Sequence, residues 1–88
     1  MNINPNTKGS LEYHLKKLEY YWIISGIVFI EMRYDRGLVE IKQLKKGSFF
    51  KIEPGVMHRR ITKKEGCEIL EISNKDDDKD SFIVEAGD

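Results

Sequence analysis

Apolar, β-branched and aromatic residues along this chain come in short runs, each closed by a break containing glycine, proline or aspartate. Residues 10–15 read as a strand, and Lys16-Lys17 is a short connection to a second strand over 19–24. Ser25-Gly26 stops that run as a tight hairpin or a bulge, because residues 27–34 continue at once in the same apolar style. Asp35-Arg36-Gly37 is a hairpin turn into residues 38–44, where Val39 and Ile41 alternate with Glu40 and Lys42 and predict a half-buried strand. Lys46-Gly47 turns the chain into a strand over 48–53, Pro54-Gly55 breaks it, and residues 56–62 begin the next. A polar turn over 63–66 precedes a strand over 67–73, a charge run fills 74–80, and residues 81–85 form a last short strand.

One competing pattern exists: Leu11, Leu15 and Leu18 fall at helical spacing. The aromatic and β-branched residues that follow, and then Ser25-Gly26, favour strand instead. Seven or eight short strands separated by tight turns predict an all-β barrel or sandwich, and 88 residues fit one domain spanning 1–88. Gly26, Gly47 and Gly55 stand where tight turns require positive φ.

Charge then narrows the function. Fifteen Lys and Arg balance fifteen Asp and Glu, and the basic pairs are scattered among acids, which argues against nucleic acid as a partner. No apolar run approaches the roughly 20 residues that span a bilayer, and residues 1–9 are polar, so the expectation is no membrane and a cytoplasmic protein. Cys67 is the only cysteine, which excludes an internal disulfide and a cysteine-based zinc site; its apolar setting makes it a small core residue. Asp76-Asp77-Asp78 lacks the glycine and terminal glutamate of a calcium loop and reads as a solvated acidic turn.

The candidate chemistry lies in four residues. Glu12 and His14, two apart on a strand, project to one face, Glu19 opens the next strand, and the Pro54-Gly55 turn introduces His58 from a distant one. Two imidazoles and one or two carboxylates converging from three strands supply three or four nitrogen and oxygen ligands. That set suits a divalent ion, Zn²⁺ first and Mn²⁺, Fe²⁺, Co²⁺ or Ni²⁺ otherwise. Glu12 is open between ligand and general base. Arg60 shares the face of His58 and is a candidate anchor for a substrate carboxylate or phosphate, against the plainer reading of a surface arginine balancing Glu65 or Glu68. Lys17, in the loop between two ligand positions, is a second phosphate candidate. Alternation places Tyr21 on the side of Glu19 and leaves Tyr20 and Trp22 on the outer face, a patch that predicts a homodimer.

The spacing Glu12-Tyr-His14, Glu19 and Gly26, followed by Gly47 and Pro54-Gly55-Val56-Met57-His58, resembles the two sequence motifs of the cupin superfamily. Within it, residues 5–26, 68–73 and 76–88 are similar to the small cupin domain of type II mannose-6-phosphate isomerases, also found fused to mannose-1-phosphate guanylyltransferases. That family has Gln where this chain has Glu12, and further histidines at the positions of Leu15 and Lys16. The resemblance implies a double-stranded β-helix (jelly-roll) barrel and a metal-dependent isomerase of a sugar phosphate. Glu12 would move the proton, and Arg60 or Lys17 would bind the phosphate. Two other readings stand beside it. One is a non-catalytic cupin that binds a sugar or other small ligand; the other is a different cupin enzyme such as a dioxygenase, since two histidines and a carboxylate also resemble a ferrous facial triad.

Overall fold

The computed structural model describes residues 1–34, 37–74 and 78–87. Eight strands carry the architecture: β1 (Asn2–Ile3), β2 (Leu11–Tyr13), β3 (Glu19–Arg33), β4 (Val39–Lys45), β5 (Phe49–Ile52), β6 (Met57–Ile61), β7 (Cys67–Ser73) and β8 (Phe82–Glu85). A 3₁₀ turn, Asp78–Asp80, precedes β8, and no α-helix occurs among the described residues.

The 15-residue β3 organises everything else. Its first half runs between β5 and β7, its second half between β4 and β6, and every pairing is antiparallel. One strand therefore belongs to two sheets, β1-β7-β3-β5 and β4-β3-β6-β2-β8. The corner lies at the Ser25-Gly26 punctuation, which is a bulge: Ile23 pairs with Ile69 and Ser25 with Glu68, leaving Ile24 as the inserted residue. The extra residue changes the parity of the strand. Tyr21 and Ile23 face the core before it, and Val28, Ile30 and Met32 face the core after it. Gly26 holds φ at +80°, and a Cβ there would run into the Gly66 carbonyl oxygen, so only glycine fits.

The core between the sheets comprises Tyr21, Ile23, Val28, Ile30, Met32, Leu44, Ile52, Cys67 and Ile69. Burial pushes the Cys67 thiol up, as befits a core residue. Expected and observed strands agree closely for β5 to β8, while residues 10–15 contribute only the three of β2. The polar N-terminus also contributes a strand, since Asn2 and Ile3 pair with Glu68 and Cys67. One expectation needs correction. The alternation in β4 does not mark a half-buried strand: Val39 and Ile41 are 54% and 58% exposed. Register explains this, because they lie opposite Arg33 and Glu31 on the face away from the core, and only Leu44, opposite Val28, is buried. The Asp35-Arg36 part of the expected hairpin turn, and residues 75–77 of the charge run, lie outside the described residues.

Candidate metal centre

Glu12, His14, Glu19 and His58 come together inside the barrel. Pairing of Glu12 with His58 sets β2 against β6, and pairing of His58 with Met32 sets β6 against β3. The Pro54-Gly55 turn that delivers His58 is fastened to the other histidine, since the Gly55 N–H donates to the His14 carbonyl at 2.6 Å. Gly55 adopts φ +83°. His14, Glu19 and His58 are 3%, 6% and 1% exposed, whereas Glu12 is about a quarter exposed and stands on the open side.

The donor atoms converge. One atom each from Glu12, His14 and His58 lies within 4.8 Å of the others. Glu19 Oε1 is 2.8 Å from His14 Nε2 and 3.4 Å from His58 Nε2, and Glu12 Oε1 is 3.8 Å from His14 Nε2. Ligands bound to one ion at about 2.1 Å stand about 3.0–3.5 Å apart; the 3.4 Å separation lies in that range and the 2.8 and 3.8 Å separations lie a few tenths of an ångström to either side of it. Both histidines are held by their other nitrogen. His14 Nδ1 is 2.7 Å from the Asp80 carbonyl oxygen and His58 Nδ1 is 2.9 Å from that of Val56, so each Nδ1–H donates outward and each Nε2 turns its lone pair inward. His14 Nε2, His58 Nε2 and Glu19 Oε1 are all buried without a hydrogen-bond partner. Three such atoms 2.8–3.4 Å apart need a positive charge among them, a proton on an imidazole or a metal ion, and one divalent ion would satisfy all three at once. Burial pushes the Glu19 carboxyl up, but without a metal the adjacent His58 and His14 imidazoles, when protonated, and the Lys17 ammonium outweigh it and hold the carboxyl below its ordinary value. The donor set of two imidazoles and two carboxylates fits a divalent ion.

Beyond the donors lies a polar wall that motif spacing did not reveal. Tyr21, 1% exposed, has its ring 6.4 Å from that of His58 and 5.5 Å from the Arg60 guanidinium carbon. Arg60 lies on the His58 side of β6, as strand period requires, but its partner is Glu71 rather than Glu65 or Glu68. Lys17 is half-buried on the loop between His14 and Glu19, and its charge bears on Glu19 through space. The largest omission of the sequence reading is Asp80. Its carboxylate accepts the backbone N–H groups of Leu15, Lys16 and Lys17 at 2.8–2.9 Å, and its carbonyl holds His14. Within an acidic run nothing in spacing or composition singles it out.

The fold and the site together define a small β-barrel built around a histidine–carboxylate cluster. Among solved structures, the chain is similar to oxalate decarboxylase from Bacillus subtilis, with a TM-score of 0.86 at 21% identity over 96% of this chain and 22% of that one. It is also similar to the formate complex of oxalate decarboxylase from Lactobacillus farciminis, with a TM-score of 0.82 at 22% identity over 96% of this chain and 25% of that one. These are cupin-fold proteins, and this chain has the cupin fold. It spans about a quarter or less of the length of either neighbour. No family model matches the chain, and no curated protein matches it. The neighbours support the expected barrel but do not carry the likeness to mannose-6-phosphate isomerases.

Proposed function

We propose that this chain is a metal-binding cupin that holds one divalent ion with His14, His58, Glu19 and Glu12 and takes a small carboxylate as its ligand. The observation that carries the metal is the set of three buried, unpartnered, inward-facing donor atoms. Charge supports the ligand class. Glu12 and Glu71 bear on the Arg60 guanidinium while Glu19 lies against the two histidines, so three carboxylates stand around one guanidinium, and a divalent ion would neutralise the excess of two negative charges. A neutralised site favours a small monoanion over a phosphate dianion, because the Arg60 charge is partly offset by Glu71, which leaves enough to orient a single negative charge but not to neutralise two. The neighbours are named for oxalate, and one was solved with formate, which agrees with a carboxylate ligand. For these reasons the sugar-phosphate isomerase implied by the sequence resemblance is the weaker reading.

A bound divalent ion supplies Lewis acidity to the carboxylate oxygens. The chain does the rest. His14 and His58 present neutral Nε2 donors because backbone carbonyls occupy their Nδ1–H groups. Tyr21 and the barrel wall exclude water from one side, and Arg60 stacks on Tyr21 where it orients an anion. Glu12, the most exposed of the four, is the ligand that can exchange coordination for a proton. Titration calorimetry of the Mn²⁺- and Zn²⁺-loaded protein with formate, oxalate and mannose 6-phosphate tests the ligand. Carboxylate binding that weakens in Arg60→Ala is expected; preferential binding of the sugar phosphate contradicts the reading.

We propose further that the chain forms a homodimer through the outer face of the β1-β7-β3-β5 sheet. Trp22 pairs with Phe49 on one side and Leu70 on the other, Tyr20 pairs with Ile72, and the Tyr20 and Phe49 rings stack at 5.2 Å. With Ile24 these side chains form one contiguous patch, whose exposed area is roughly 500 Å². Two copies face to face bury roughly 1,000 Å² of apolar surface before any rim is counted, the scale a specific interface requires. A second copy fits because the patch is apolar at its centre and edged by charges of both signs, Lys51 opposite Tyr20 and Glu68 two residues before Leu70, so a two-fold arrangement can match it to itself.

A further inference from the structure

We infer that Asp80 is the positioning residue of the metal centre, setting both the path of the ligand loop and the tautomer of His14. The inference rests on the reading of the histidine–carboxylate cluster as a metal site. Residues 15–18 connect His14 to Glu19, and their relative placement decides whether the two donors meet. Four consecutive backbone N–H groups in that loop point at one segment of the chain. Leu15 donates to Asp80 Oδ1 at 2.8 Å, Lys16 and Lys17 donate to Oδ2 at 2.9 Å, and Leu18 donates to Asn74 Oδ1 at 2.9 Å. The Asn74 N–H returns a bond to the Leu18 carbonyl at 3.2 Å. Successive N–H groups converging on a carboxylate form a charge-assisted nest, so three of the four N–H groups are held by the Asp80 side chain and the fourth by Asn74.

The same residue reaches the metal ligand itself. The Asp80 carbonyl lies 2.7 Å from His14 Nδ1, and Ser81 Oγ lies 3.2 Å from the same nitrogen. A carbonyl can only accept, so it fixes the proton on Nδ1 and frees Nε2 for a cation. The carboxylate anchors residue 80 to the loop, and the anchored carbonyl then orients the ring. Asp80 is buried although its neighbours in the run are acidic and polar, which suits a structural anchor more than a solvated turn. Asn74 guides the far end of the loop next to Glu19, so the segment before β8 brackets both donors.

Three variants test this: Asp80→Ala, the milder Asp80→Asn, and Thr62→Ala as a control. Thr62 is equally buried and hydrogen-bonded, but it serves the N-terminal segment through Asn4 and Thr7. The first readout needs no metal: nitrogen-15 NMR of metal-free protein at neutral pH reports the His14 tautomer. Wild type and Thr62→Ala are expected to keep Nδ1–H, and both Asp80 variants to lose that bias. The second readout is the Kd for Mn²⁺ and Zn²⁺, expected to rise about 10- to 100-fold in the Asp80 variants and to stay unchanged in Thr62→Ala even where its melting temperature falls. An unchanged His14 tautomer in the Asp80 variants overturns the proposal. So does a rise in Kd for Thr62→Ala as large as that for Asp80→Ala. Failure of wild type to bind either metal refutes the metal reading instead, and the tautomer measurement still decides the role of Asp80.

Discussion

At the scale of single residues, buried polar groups govern the behaviour of this protein. Arg59 is 2% exposed on the face opposite His58, and its guanidinium meets Glu85 at 2.9 Å and Glu31 at 3.7 Å. Arg33 joins the same two carboxylates at 2.7 and 3.2 Å. Hydrogen bonding from Arg59 holds the Glu85 carboxyl below its ordinary value, burial opposes this, and Arg33 adds to the lowering. A lowered folded value means the pair stabilises the fold above the ordinary carboxyl range and stops doing so as pH falls through the folded value. Glu85→Gln is therefore expected to melt several degrees below wild type at neutral pH, with the gap closing below about pH 4. Thermal melts across pH check this. Residue-scale legibility follows the same divide: His14 and His58 stand out because histidines are scarce in this sequence, and alternation places Tyr21 on the side of Glu19, whereas Asp80 and Glu71 act through long-range contacts that local spacing does not encode.

At the scale of elements, turn chemistry was legible and sheet geometry was only partly so. The Ser25-Gly26 break announced itself as an interruption, and its two readings, hairpin or bulge, differ only in whether the chain reverses. Long-range pairing with β7 decides for the bulge, because Gly26 must lie against the Gly66–Cys67 backbone. Gly26→Ala places a Cβ against the Gly66 carbonyl at positive φ, and it is expected to destabilise the protein by about 3 kcal/mol or more, with loss of soluble yield. Denaturant melts against Gly37→Ala calibrate the effect, since nothing lies within 4 Å of a Cβ at Gly37 although its φ of +75° carries the same backbone strain. The misread side of β4 has a similar cause. Alternation shows that a strand has two unlike faces, and register against β3 alone decides which face meets the core.

At the scale of the whole molecule, the barrel is readable from the strand rhythm and the two motifs, and its buried histidine–carboxylate cluster from the placement of the histidines. The exposed face was readable in part: Tyr20 and Trp22 were placed outward, but Phe49, Leu70 and Ile72 join them only through the sheet. If that face covers itself in a dimer, Trp22→Glu paired with Leu70→Lys gives a monomer by sedimentation equilibrium at concentrations where wild type is a dimer, with metal content unchanged. A wild-type monomer at all concentrations rules the interface out.

The central claim concerns the cluster inside the barrel, and metal stoichiometry tests it most directly. Protein loaded with Mn²⁺ or Zn²⁺, desalted and analysed by mass spectrometry for metal, is predicted to hold one ion per chain. His14→Ala and His58→Ala are predicted to hold less than about a tenth of that while retaining the wild-type β-sheet circular dichroism. A folded His58→Ala protein that keeps its full complement of metal would contradict the account.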